Sequence, residues 1–176
     1  MSSRELTPLY SAEQLQARVH ELGAEIGETY RGKKPLLVAI LKGSFMFLAD
    51  LCRAVPEDHE VEFVATEAYG DGEVNRGVRL LKDMDADIEG RHVLVVEDIV
   101  DSGRTLSRIC AMFAKRHPAS LHVVTLLDKP ERREVHVPVS FVGFHVPDKF
   151  VVGYGLDLAE QYRHLDGIYI CNPDGG

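Results

Sequence analysis

The sequence reads as an α/β fold, a parallel twisted sheet flanked by helices, and three observations carry that reading. Leu36–Leu41 (LLVAIL), Val93–Val96 and Leu121–Leu127 (LHVVTLL) are near-continuous apolar runs without in–out alternation, as expected of strands buried on both faces of a parallel sheet. Each run stops abruptly at polar residues, Lys42-Gly43-Ser44, Glu97-Asp98 and Asp128-Lys129-Pro130. After the first two, apolar residues resume at helical spacing, so the unit strand, small-residue turn, helix occurs twice.

The elements follow in order. Ser11 with Gln14 three residues on is a capping box, and Leu15, Val19, Leu22 and Ile26 continue one helical face up to a stop at Gly32. The strand Leu36–Leu41 leads into a short helix with Phe45, Leu48 and Cys52, ended before Pro56. Val61, Phe63 and Ala65 alternate with Glu62 and Val64, a strand with one less buried face. Residues 66–77 (TEAYGDGEVNRG), with three glycines and little apolar material, read as a mobile loop or an exposed hairpin. Val78, Leu80 and Leu81 resume a strand, and Asp85–Gly90 is a turn.

The central stretch Val93–Leu106 ends its strand at Glu97 and Asp98, where burial is expected to stop because adjacent carboxylates are costly to desolvate together. Asp101 to Thr105 make the turn, and Leu106, Ile109, Cys110 and Phe113 form the next helical face. Lys115 and Arg116 suit that helix's negative end and Pro118 closes it. Residues 131–149 read as irregular around the short run Val139–Phe144, followed by short strands at Phe150–Gly155 and Ile168–Cys171.

With 176 residues, 45% hydrophobic and 27% charged, the chain has the composition of one soluble globular domain. A net charge of -8 argues against nucleic-acid binding, which calls for a basic surface. Cys52, Cys110 and Cys171 lack metal-type spacing and read as buried free thiols in a reducing compartment. The first residues carry no apolar leader and no stretch reaches membrane-spanning length, so the expected location is the cytoplasm.

Ligands of parallel α/β sheets sit beyond the carboxyl ends of the strands, and three polar strand ends converge there. A glycine-containing turn at a helix N-terminus suits a phosphate, and acids beside it suit a ribose or a magnesium ion. No GxxxxGK[ST], GxGxxG, nucleophile elbow or HExxH occurs. His92, His122 and His136 lie in or beside strands and read as ordinary half-exposed residues rather than metal ligands.

Val95-Val96-Glu97-Asp98-Ile99-Val100-Asp101-Ser102-Gly103-Arg104-Thr105-Leu106 resembles the phosphoribosyl-pyrophosphate motif of the type I phosphoribosyltransferases. Leu41-Lys42-Gly43, the tail Val146 to Tyr154, Asp157 and Arg163 resemble the hypoxanthine-guanine members of that family. The resemblance implies a single domain over 1–176, with a mobile loop at about 66–77 and a small hood built mainly from 131–176. It implies purine salvage: transfer of the 5-phosphoribosyl group to N9 of hypoxanthine or guanine, giving IMP or GMP and pyrophosphate. By the same resemblance, Glu97 and Asp98 meet the ribose hydroxyls, and Asp101, Ser102, Gly103, Arg104 and Thr105 cradle the 5′-phosphate. Asp101 also accepts the base's proton. Lys42, Gly43 and Arg163 hold pyrophosphate, and the Lys42 turn often carries a non-proline cis peptide in the family. Lys129, Phe150, Val151 and Asp157 bind the purine, with Lys129 donating to the 6-oxo group that adenine lacks. Magnesium falls to Glu97, Asp98 and Asp157. Homodimers or homotetramers are usual in the family.

The sequence departs from the family in one place. Where the loop usually holds Ser-Tyr, this chain has Ala68-Tyr69, so Tyr69 is expected to take part in closure without the neighbouring hydroxyl. Two other readings stand beside the first: a phosphoribosyl-pyrophosphate-sensing regulator that binds nucleic acid, and an enzyme preferring xanthine. The charge of -8 and the presence of Lys129, Phe150 and Asp157 speak against the regulator.

Overall fold

The structure, a computed structural model, describes residues 5–69 and 77–172. Its elements are β1 (Leu6–Tyr10), α1 (Ala12–Thr29), β2 (Leu36–Leu41), α2 (Phe45–Ala54), β3 (Glu60–Tyr69), β4 (Gly77–Lys82), β5 (His92–Val100), α3 (Arg104–Ala114), β6 (Ser120–Asp128), a 3₁₀ turn (Pro130–Arg132), β7 (Phe141–His145), β8 (Val151–Val152) and β9 (Ile168–Cys171). Six strands form the main sheet in the order β4-β3-β2-β5-β6-β7, parallel except for β4.

Both faces of this sheet are covered, which explains its unbroken apolar runs. Leu37, Ala39, Leu94 and Val96 pack with Leu15, Leu22 and Ile26 of α1 and with Phe47 and Leu51 of α2. Leu36, Val38, Val93 and Val95 point the other way, onto Leu106, Ile109 and Phe113 of α3. The capping box opens α1 as expected: the Gln14 N–H donates to Ser11 Oγ at 3.2 Å, and the Ser11 N–H donates to Gln14 Oε1 at 2.9 Å.

Several expectations are corrected. β5 does not stop at the acid pair but runs on to Val100, its ladder to β6 continuing through Glu97↔Thr125 and Ile99↔Leu127, so Glu97 is buried. Of the two readings of 66–77, the hairpin holds at its ends and the loop does not: 66–69 and 77 belong to β3 and β4, which pair antiparallel, while 70–76 lie outside the described residues. The run expected to be irregular contains β7, an edge strand parallel to β6. Arg116 does not serve the end of α3: it pairs with Asp83 at 2.6 Å and lies over the Phe113 ring. Cys171 is buried, whereas Cys52 and Cys110 are half-buried. A strand missed in the sequence, β1, joins β9 and β8 in a three-stranded antiparallel sheet. The hood region therefore draws on the N-terminus as well as the tail, while β7 from the tail serves the main sheet.

Candidate active site

At the carboxyl ends of β2, β3, β5 and β6 lies a cavity of about 480 Å³ roofed by β8 and the residues on either side of it. Its floor carries Lys42 and Gly43 from the β2–α2 turn, Asp98 and Asp101 from β5 and its turn, and Lys129 after β6. Its roof carries Phe150, Val151, Asp157 and Arg163. A smaller cavity of about 110 Å³ adjoins it, lined by Glu97, Ser102, Gly103, Thr105 and neighbours. Ile99 and Asp101 line both, so residue Asp101 lies where the two spaces meet.

The β2–α2 turn is shaped by close approach. The Leu41–Lys42 peptide is cis. A Cβ at Gly43 would lie 1.7 Å from Asp98 Oδ2, and one at Gly155 (φ +98°) would lie 2.2 Å from the Gly43 carbonyl oxygen. Floor and roof thus meet backbone to backbone at Gly155, where only glycine leaves room, whereas the obstacle at Gly43 is a side-chain carboxylate. Ser44 behind the turn is buried and donates to the Ile40 carbonyl at 2.6 Å.

The cations of the large cavity are already partnered. Lys42 Nζ is 3.0 Å from Glu160 Oε1. Arg163 reaches the Gly155 carbonyl at 2.7 Å, Asp157 Oδ1 at 3.0 Å and Glu160 Oε1 at 3.2 Å, while its buried Nε has no partner among the described residues. Lys129 is buried, and its ammonium donates to the Lys149 carbonyl at 2.6 Å. Phe150, 40% exposed, lines the same cavity as Lys129.

The smaller cavity is the turn at the start of α3, with Gly103 at φ +82° and the Arg104 N–H 3.4 Å from Ser102 Oγ. The Arg104 side chain is not among its lining residues and pairs with Glu134. Burial, and then the charge of Asp98, push the Glu97 carboxyl well above its usual range, and burial also raises Asp98. Asp98 Oδ1 accepts from the Ile99 N–H at 2.8 Å, and Asp101 Oδ1 accepts from Arg132 Nε at 3.0 Å.

The expected metal trio is not assembled as one group. Among the described residues no three His, Cys, Asp or Glu side chains gather as ligands; Asp98 and Asp157 face the large cavity and Glu97 the small one. Ala68 and Tyr69 end β3, but their side chains lie outside the described residues. Sequence reading missed Thr66 and Glu160, both of which line the large cavity. Glu160 had a signal, standing three residues before Arg163 in the family-like tail; Thr66 had none, since it sat in a presumed loop.

Comparison with known proteins agrees with this geometry. The model of the phosphoribosyl transferase domain matches residues 7–159. A hypoxanthine phosphoribosyltransferase of Escherichia coli K12 is 55% identical over 155 residues, 86% of this chain and 87% of its own length. A hypoxanthine-guanine phosphoribosyltransferase of Mycobacterium avium is 51% identical over 172 residues, 94% of this chain and 85% of its own. The crystal structure of a hypoxanthine-guanine phosphoribosyltransferase from Bacillus anthracis superposes with a TM-score of 0.91 at 44% identity, covering 96% of this chain and 99% of that one. With a domain model spanning most of its length and relatives this similar, the chain belongs to the phosphoribosyltransferase family, among its hypoxanthine-guanine members.

Proposed function

We propose that the chain transfers the 5-phosphoribosyl group of phosphoribosyl pyrophosphate to N9 of hypoxanthine or guanine, forming IMP or GMP and pyrophosphate in purine salvage. The observation that carries this reading is the position of Asp101 where the two cavities meet. One space suits a 5′-phosphate, the other a purine and a pyrophosphate, and the reacting carbon must lie between them.

In this reading the purine stacks on Phe150, the Val151 backbone reads its edge and Lys129 donates to the 6-oxo oxygen. The Lys129 ammonium has three N–H donors, one of them on the Lys149 carbonyl. The N–H groups and hydroxyls of Ser102 to Thr105 hold the 5′-phosphate at the start of α3. Asp98 and Glu97 accept from the ribose hydroxyls, Glu97 from the side of the smaller cavity. Lys42 and Arg163 draw off the leaving group. The C1′–oxygen bond to pyrophosphate breaks, the N9–C1′ bond forms, and the N7 proton passes to Asp101.

Asp98 and Asp157 fit magnesium, an ion usually held by one or two protein carboxylates with substrate phosphates and water supplying the rest. Bound there, it would offset charge on the pyrophosphate. Glu97 lines the phosphate-turn cavity rather than the space that Asp98 and Asp157 share. A single domain, a homodimeric or homotetrameric assembly and a cytoplasmic location are proposed on the family resemblance. No described helix is long and apolar enough to cross a membrane.

The test is a spectrophotometric assay with phosphoribosyl pyrophosphate and magnesium, offering hypoxanthine, guanine, xanthine and adenine in turn. Turnover of the 6-oxopurines and not of adenine is expected; adenine as the preferred base would refute the role of Lys129.

A further inference from the structure

Two largely buried charges beside the site have no part in this mechanism. Asp128, the last residue of β6, has 10% of its side chain exposed, and Arg133, just past the 3₁₀ turn, has 20%. One end of the Arg133 guanidinium donates to Asp128 Oδ1, and its Nε donates to the Asp101 carbonyl at 3.3 Å. Asp128 Oδ2 in turn is 3.3 Å from His145 Nδ1 on β7. The next two N–H groups, of Glu134 and Val135, donate to the Ser102 carbonyl at 2.9 and 3.1 Å. A Cβ at Gly103 would lie 2.6 Å from the Val135 carbonyl oxygen and 2.9 Å from Arg133 Cδ, so the turn is pressed against this segment without clearance.

Buried ion pairs are poor sources of stability, because desolvation offsets most of their attraction. Arginine differs from lysine in a planar fork that spans two acceptors at fixed geometry. Here the fork spans a carboxylate at the end of β6 and a carbonyl in the turn after β5. We propose that Asp128 and Arg133 are positioning residues: Asp128 orients the guanidinium, which fixes the Asp101 carbonyl and sets the 102–105 turn to receive the 5′-phosphate. The inference rests on that turn being the 5′-phosphate site. The same stretch of chain begins at Lys129, whose N–H donates to the Val100 carbonyl at 3.0 Å, so one segment sets both the phosphate turn and the purine contact.

A pair that merely supported the fold would, when weakened, loosen every subsite. A positioning pair predicts a selective loss, because Lys42, Gly43 and Arg163 sit on other elements, the β2–α2 turn and the segment after β8. The experiment titrates IMP and inorganic pyrophosphate separately, with magnesium, into the wild type, Arg133→Lys and Arg133→Met, with thermal unfolding measured alongside. Arg133→Lys keeps a cation beside Asp128 but has no fork. Its IMP affinity should fall about tenfold, the scale of one charge-assisted hydrogen bond, while pyrophosphate affinity stays within about twofold. Arg133→Met should lose more on the IMP side only. Unchanged IMP affinity in Arg133→Lys, or equal losses for the two ligands, overturns the inference, and the lysine variant decides alone if the methionine variant does not fold. A wild type that binds pyrophosphate and not IMP would instead refute the assignment of the turn, before any substitution is made.

Discussion

A single methyl group at Gly43 would test the geometry of the donor site. The Gly43 backbone does not lie in the left-handed region, so alanine suits its conformation and the effect is steric. The added Cβ would stand 1.7 Å from Asp98 Oδ2 and 2.7 Å from its Cγ. Non-bonded contacts settle near about 3.5 Å, so the carboxylate must retreat by roughly 1.8 Å. The cheap route is rotation of the side chain, which gives up the 2.8 Å bond from the Ile99 N–H and leaves the backbone in place. Misplacing a group that holds substrate by about 1 Å costs on the order of 10²-fold in rate. That corresponds to about 2.7 kcal/mol of transition-state stabilisation. Gly43→Ala should therefore lower kcat/KM for phosphoribosyl pyrophosphate about 10²-fold at saturating hypoxanthine. Its thermal unfolding should stay close to wild type. A kcat/KM within about threefold of wild type would refute the argument, since the Asp98 carboxylate would then move without consequence. Gly155→Ala gives the contrast: the obstacle is the Gly43 carbonyl at 2.2 Å and φ is +98°, so both activity and unfolding temperature should fall.

Two further predictions separate chemistry from binding and stability. Asp101→Asn keeps the shape of the junction and removes the proton acceptor, so kcat should fall about 10²- to 10⁴-fold while donor affinity changes little; an unchanged kcat would remove Asp101 from that role. Glu97→Gln tests the buried acid. Its folded pKa is raised above the ordinary 4.5, first by burial and then by Asp98. The stability that Glu97 contributes is therefore present below about pH 4.5 and lost as pH rises through the folded value. Glutamine imitates the neutral form, so the variant should unfold at a higher temperature than wild type at pH 8, with the gap closing below about pH 4. It should also bind the phosphoribosyl donor more weakly. A gap that stays constant across pH would refute the burial argument.

The main sheet was legible because burial on both faces writes itself into composition: Leu36–Leu41 and Val93–Val96 have no other sensible use. The donor site was legible because a turn between strand and helix is contiguous in sequence. What stayed hidden depends on pairing across distance. Phe141–His145 is short, half-buried and at an edge, so it lacks the apolar density that marked β2 and β5. Leu6–Tyr10 becomes a strand because Ile168–Cys171 lies beside it, which no local pattern reports. The burial of Glu97 went against a sound local argument about desolvation. The ladder to β6 fixes the strand through that position, and a carboxyl whose neutral form is favoured bears burial better than a charged one. Asp128 and Arg133 are five residues apart, yet nothing in their spacing said that the arginine would reach back to Asp101.

The small sheet has a consequence for how the protein matures. β8 finds its place only beside β9, and β9 is pinned by β1, with Cys171 opposite Leu6. The β1–β9 pairing, Leu6 with Cys171, is the most non-local among the described strands, and closing so long a loop comes late and slowly. During synthesis the main sheet can collapse once β7 has emerged, well before the partner of β1 exists. The roof that brings Asp157 and Arg163 over the cavity is tied to that last pairing. The roof over the donor site is therefore tied down only when β1 and β9, strands far apart in the sequence, have paired.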